Sequence, residues 1–270
     1  MAEEELSESE SPGLASTLFG PALAALESVG QVLSLTAETI VWAIRPPYRI
    51  AQLFNAMEFI GVQSVFIVSL TGIFSGMVLA LQTVHSLRQF SAEGVVGYIV
   101  AVSMTREISP VFAALMVAAR AGSAMAAELG NMRVTEQIDA IVTMAVSPVQ
   151  YLLSPRLLSG VLMLPLLCIL YSCVGMVGAW IVAVQWLGVD PGVFLHNLER
   201  LVPGDYFMGL IKSAVFGFLI AAISCARGYY ASGGAKGVGE ATTRAVVHSA
   251  VAILIFNYLL TSWLTTDEMG

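Results

Sequence analysis

The chain has 270 residues, of which 57% are hydrophobic and only 11% charged. Soluble domains carry about 25% charged residues, so this composition excludes an ordinary soluble domain and implies an all-α integral membrane protein with no nucleic-acid partner. The formal net charge of −7 does not signal a basic partner, because much of it is local, in Glu3, Glu4, Glu5, Glu8 and Glu10.

Residues 1–19 are an acidic, Ser-containing head whose composition predicts disorder. A secretory signal would instead begin basic and lead into an apolar run. Residues 20–47 read as an amphipathic helix lying in the membrane interface. Glu27, Gln31, Ser34 and Glu38 form one polar stripe, and Leu23, Leu26, Val29, Leu33, Ile40 and Val41 cover much of the remaining surface. Pro46-Pro47 ends this helix, with Arg45 and Arg49 at headgroup level.

Residues 48–266 form one membrane domain with spans over about 57–85, 95–119, 155–186, 206–227 and 243–266. On the first, Gly72 and Gly76 make a G-x-x-x-G that permits close helix contact. The second carries Arg106 and Glu107, followed by Pro110. Consecutive helical residues point about 100° apart, so these two charges do not simply neutralise each other, and each needs another partner or a wet cavity. The run Leu157–Val189 has no charge and is longer than one crossing requires, with a kink expected at Pro165 and Trp186 at the interface. Residues 190–205 read as an exposed loop or small surface helix, and residues 227–240 as a Gly-rich polar loop; the fourth span between them carries Lys212 near one end. Cys168, Cys173 and Cys225 sit in apolar segments with neither disulfide nor metal spacing, and read as buried packing.

Between the second and third spans, Ala118–Ala145 contains Arg120, Glu128, Arg133, Glu136 and Asp139. Each charge in hydrocarbon would cost about 2.5–3.5 kcal/mol, so this stretch must meet water or another protein. No Gly or Pro interrupts Thr135–Ile141; Glu136, Asp139 and Thr143 share one side, and Ile138, Ile141 and Val142 fall on another. That pattern describes a short amphipathic helix within about 130–145. It serves either as a solvated connector or as a docking helix for a cytosolic partner. Arg45, Arg49, Arg120, Arg133, Arg156, Arg227, Lys236 and Arg244 lie on its side of the membrane, against Arg88 and Arg200 on the other. The asymmetry places it, and the amino terminus, in the cytoplasm, and five crossings then leave the carboxyl terminus outside.

Arg106, Glu107 and Lys212 are the most informative polar residues. They form either a buried ion pair, Glu107 with Lys212, that fixes helix register, or a polar patch lining a cavity for a charged headgroup. A proton relay would show carboxylates or histidines in series, and Glu107 stands nearly alone. The segment GYYASGGAKGVG lacks the spacing of a phosphate-binding loop. His85, His196 and His248 are far apart, so no metal site is expected. No region is large enough for a nucleotide domain. If ATP drives this protein, ATP and magnesium belong to a separate chain, and this one is not an enzyme.

The run TREISPVFAALMVAARAGSAMAAELGNMRVTEQIDAIVTMAVSP, Thr105 to Pro148, resembles the signature region of the MlaE/YrbE family, permease subunits of Mce-type lipid ABC transporters. Phe74–Gln82, Leu210–Gly217 and Ala241–Ala250 are similar to it as well. The resemblance implies a homodimer with an interfacial amino-terminal helix, five spans and a cytoplasmic coupling helix. It implies an ATPase resembling MlaF, an Mce-domain ring resembling MlaD and a STAS protein resembling MlaB. It also implies phospholipid as cargo between the inner and outer membranes of a Gram-negative bacterium, with sterols handled by related systems. By matching motifs it places Arg133, Glu136, Gln137 and Asp139 on the coupling helix. Arg106, Glu107 and Lys212 fall among the polar groups of the lipid cavity, and Leu79, Leu87 and Phe90 on its apolar wall. Phe90 stands where some relatives have Tyr.

Overall fold

The computed structural model describes residues 14–46 and 49–267, which hold helices and no strand. In chain order the helices are α1 (Leu14–Ile44), α2 (Ile50–Arg88), α3 (Glu93–Val134), α4 (Gln137–Thr143), α5 (Val149–Trp186), α6 (Pro191–Leu198), α7 (Pro203–Tyr229) and α8 (Gly234–Asp267). Five of them, α2, α3, α5, α7 and α8, are long and apolar enough to cross a membrane. The chain is an all-α integral membrane protein.

Helix α5 runs through the middle, packed against α2 on one side and α7 on the other. Both contacts depend on missing side chains. A Cβ on Gly76 would strike the carbonyl of Gly175, and one on Gly178 would strike that of Ile73. The G-x-x-x-G of α2 is therefore spent inside the protomer, where it lets two backbones meet. Gly160 and Gly217 bring α5 and α7 together in the same way.

Helix α3 is the main departure from the sequence reading. Its 42 residues rise about 63 Å at 1.5 Å each, twice the roughly 30 Å hydrocarbon layer. Ala118–Val134, read as connector because of its charges, is a continuation of this helix. The charges are tolerated because they find partners. Arg120 donates to the carbonyl of Phe59 at 2.6 Å and to Gln63, filling the break that interrupts α2 at Val62–Ser64. Glu128 pairs with Arg156 of α5 at 2.8 Å.

The helix expected over 130–145 is likewise two pieces. α3 ends at Val134, Glu136 takes a left-handed conformation (φ 59°), and α4 begins at Gln137. The Gly-rich stretch is mostly helical too: α7 continues to Tyr229 and α8 starts at Gly234, well before the expected 243. α5 passes through Pro165 without a break in the helix. Asp205, assigned to an exposed loop, is buried in the first turn of α7.

Residues 1–13 of the acidic head lie outside the described residues; α1 begins at Leu14, inside the stretch assigned to that head. Its expected apolar face (Leu26, Val29, Leu33, Ile40, Val41) is exposed, and a third face, Leu35 and Thr39 with Val32 and Trp42, packs on the bundle. An exposed apolar face suits contact with lipid. Cys168 and Cys225 are buried as packing requires, whereas Cys173 is exposed.

The backbone approach at Gly76 yields a sharp contrast. Gly76→Ala is expected to destabilise the chain by about 1–3 kcal/mol, because the neighbouring carbonyl cannot move aside. Gly239→Ala, where a Cβ meets nothing within 4 Å, should be neutral or stabilising by up to about 1 kcal/mol. Thermal unfolding in detergent compares the two.

Candidate functional site

Arg106 and Glu107 lie in a widened turn of α3, Met104–Ile108, where backbone bonds skip to the fifth residue. Such turns are frequent at functional positions in helices. Pro110 follows and has no N–H, so the carbonyl of Arg106 lacks its ordinary i+4 donor. Lys212 of α7 supplies one, its Nζ donating to that carbonyl at 3.1 Å. The same ammonium donates to Glu107 Oε1 at 2.7 Å and to Thr261 Oγ1 of α8 at 2.7 Å. Asn257 Nδ2, one helical turn from Thr261, donates to the other Glu107 oxygen at 3.3 Å.

A second ion pair lies beside the first. Arg106 Nε donates to Asp205 Oδ1, and Asp205 Oδ2 accepts from the backbone N–H of Val202, capping α7. Asp205, Gly209 and Lys212 are spaced i, i+4, i+7 and so share one face of α7. A Cβ on Gly209 would collide with the carbonyl of Thr105. The glycine lets the widened turn of α3 rest on α7 while an acid above and a base below take its two charges.

The ion-pair reading of Glu107 and Lys212 is thus realised. Exposure divides the two: the Lys212 side chain is 0% exposed and that of Glu107 40%. Lys212 is committed to the protein interior, and Glu107 is the member that can meet anything outside. Arg106 is 25% exposed while held by Asp205.

The three apolar candidates do not form one wall. Leu79 lines an open trough of about 450 Å³ with Phe74, Val78, Ile108 and Phe112. Leu87 packs against the core instead, and Phe90, 77% exposed, stands in the turn after α2. Ile108 follows Glu107 on α3 but points about 100° away, so the trough opens between α3 and α2 while Glu107 faces α7 and α8.

At one end of the bundle, Arg133 Nη1 and Asp139 Oδ1 are 2.7 Å apart and brace the corner around Glu136. Ile138 is fully buried and anchors α4, which presents Gln137 and Val142 outward, with Met144 exposed just past its end. Two of the four candidates here, Arg133 and Asp139, therefore serve each other.

The family profile described as Permease MlaE matches residues 53–263. The chain belongs to the MlaE permease family. It is 43% identical to a probable ABC transporter permease protein of Rickettsia conorii over 236 residues, 87% of this chain and 91% of that one. It is 41% identical to the intermembrane phospholipid transport system permease protein MlaE of Haemophilus influenzae, over 78% and 81% of the two chains. A third relative is the chloroplastic protein Trigalactosyldiacylglycerol 1 of Arabidopsis thaliana, 38% identical over 77% of this chain and 59% of that one.

In this MlaE-family permease, sequence reasoning passed over Asp205, Asn257 and Thr261. Asp205 stands with Gly209 and Lys212 at helical spacing, a signal masked by Pro203-Gly204, which reads as loop. Asn257 and Thr261 are polar, four residues apart, in an otherwise apolar span, and that pattern was available.

The unequal exposure of the pair fixes an order of effects. Glu107→Leu leaves an ammonium sealed in the interior and is expected to cost about 3–5 kcal/mol. Lys212→Met leaves a carboxylate that is not sealed in the protein and keeps Asn257 and Thr261 as partners, and should cost less than half as much. Equal losses in detergent unfolding would refute this ordering.

Proposed function

We propose that this permease is the membrane subunit of an ATP-driven phospholipid transporter, moving lipid between the inner and outer membranes of a Gram-negative envelope. The observation that carries the reading is that α3 bears both the open apolar trough walled by Ile108 and Phe112 and the partly exposed carboxylate of Glu107. An amphiphile needs that combination. Acyl chains leave water along the trough at about 0.8 kcal/mol per methylene, and the headgroup has an ionised partner on the same helix. The Haemophilus relative, named for intermembrane phospholipid transport, supports the choice of cargo.

Two copies would face their troughs toward each other, enclosing one cavity. Phe74, Val78 and Phe112, each more than 40% exposed, are the surfaces such a dimer would cover. α4 is the docking element for a cytosolic ATPase resembling MlaF, with Gln137, Val142 and Met144 as its contact face and Glu136 at its corner. This places the amino terminus in the cytoplasm and the carboxyl terminus in the periplasm, below an Mce-domain ring resembling MlaD; a STAS protein resembling MlaB completes the assembly. ATP and magnesium act on the ATPase, and this chain carries out no chemistry of its own.

The test is ATP-dependent transfer of a fluorescent phospholipid from proteoliposomes holding the assembled complex. Phe112→Glu is expected to reduce transfer about tenfold or more, since a charge in the trough costs more than 1.4 kcal/mol. Undiminished transfer would favour a scaffold that anchors the complex and moves nothing. A cysteine at position 136 should crosslink to the ATPase in membranes; failure in an assembled complex would remove the docking assignment.

A further inference from the structure

At the end of the bundle that carries α4, the first three turns of α2, the start of α5 and the last part of α3 enclose a cleft of about 260 Å³. Gln52, Asn55, Phe59, Glu128, Tyr151 and Arg156 line it. Arg156 spends one side of its guanidinium on Glu128, Nη2 to Oε2 at 2.8 Å. Its Nη1 is buried and has no hydrogen-bond partner among the described residues. A buried donor left unmatched costs about 1–3 kcal/mol, more when charged, which implies that an acceptor normally sits there. Behind the cleft the Arg49 guanidinium lies 4.6 Å from the centre of the Tyr151 ring, and its Nε is also buried and unmatched.

The charges decide what kind of acceptor fits. Arg156 offers a positive group with an unused N–H, while Glu128, whose side chain is 53% exposed, offers a carboxylate to the same space. A simple anion would gain from the first and be repelled by the second. A headgroup carrying a phosphate and an ammonium satisfies both. The Gln52 and Asn55 amides and the Tyr151 hydroxyl add hydrogen-bonding groups, and Phe59 supplies an apolar edge. The volume holds a headgroup and not a whole lipid, so the acyl chains would leave between α2 and α5 into the bilayer. Depth agrees: within three turns of the start of α2, beside Arg45 and Arg49, the cleft lies where headgroups lie.

We propose that this cleft binds the zwitterionic phosphate–amine headgroup of a membrane lipid, phosphate on Arg156 Nη1 and ammonium on Glu128. The site is separate from the Glu107–Lys212 cluster and from the trough, and it does not depend on the transport reading. A lipid held there would join α2, α3 and α5 beside the break in α2 that Arg120 fills.

Native mass spectrometry of the delipidated full-length chain in detergent tests it, with phosphatidylethanolamine, phosphatidylglycerol and free O-phosphoethanolamine as probes. Phosphatidylethanolamine should be retained in preference to phosphatidylglycerol. Arg156→Gln, and Asn55→Trp, which fills the cleft and leaves the Arg156–Glu128 bridge intact, should each cut that retention about tenfold, the worth of one charge-assisted hydrogen bond. The retention assigned to the cleft is the part lost in Asn55→Trp, so lipid held in the trough does not count toward it, and a chain that shows this loss yet transfers no phospholipid in the assembled complex would fail the transport reading alone. Wild-type retention by Asn55→Trp, or phosphatidylglycerol held as tightly, would overturn the proposal. Displacement by equimolar free O-phosphoethanolamine would overturn the lipid source in favour of a soluble ligand. Loss of ATPase binding by Asn55→Trp with lipid retention intact would give the cleft to a protein carboxylate instead.

Discussion

Lys212 is an ammonium with no route to water, and the middle of the bundle is arranged around that fact. Born-type costs for a lone charge in hydrocarbon are too high to bear, so a carboxylate must lie within contact distance. Glu107 is that carboxylate, and the pair ties α3 to α7. The approach requires Gly209, because any side chain there would meet the carbonyl of Thr105. Pro110 contributes by leaving the Arg106 carbonyl without its helical donor, so that Lys212 has a second acceptor. Thr261 and Asn257 then bring α8 to the same point. Three helices converge because one cation needs several oxygens at once.

Elsewhere two rules recur. Where helices must touch closely, glycines face backbone, as at Gly76 with Gly175 and Gly160 with Gly217. Several charges inside long helices are matched by a group on another helix: Arg120 by the broken turn of α2, Arg106 by Asp205, Glu128 by Arg156. Lipid offers no hydrophobic drive for helix association, so close packing and matched polar groups carry the architecture. The exposed apolar residues of α1 suit the same solvent.

The spans were legible because hydropathy over some twenty residues is a local property, and the Glu107–Lys212 partnership because few candidates existed for either ion. The extent of α3 was not legible. Five charges between Ala118 and Ala145 look like the end of a membrane helix unless one knows that Phe59 and Arg156 wait on other helices. Asp205 was lost for a related reason, since Pro203-Gly204 signals a turn in isolation but opens a helix here. The buried face of α1 includes Thr39, whose hydroxyl is spent on the carbonyl of Leu35 at 2.7 Å and so needs no water. Leu79, Leu87 and Phe90 were grouped by family resemblance, and the geometry separates them.

The continuity of α3 changes how the two ends of the molecule are related. The corner at Glu136 and the carboxylate of Glu107 stand on one helix, with no loop between them before Val134. A displacement of α4 would therefore arrive at the ionised cluster through a rod some 40 Å long, at 1.5 Å per residue. That rod is not uniform. It carries widened turns at Met104–Ile108 and at Ala118–Gly122, the places where a helix most readily shifts by a residue. The first holds Arg106 and Glu107; the second holds Arg120, fastened to the break in α2. Both widened turns are thus tied to neighbouring helices through charged side chains, the first by the ion pairs of Arg106 and Glu107 and the second by Arg120 on the oxygens of Phe59 and Gln63.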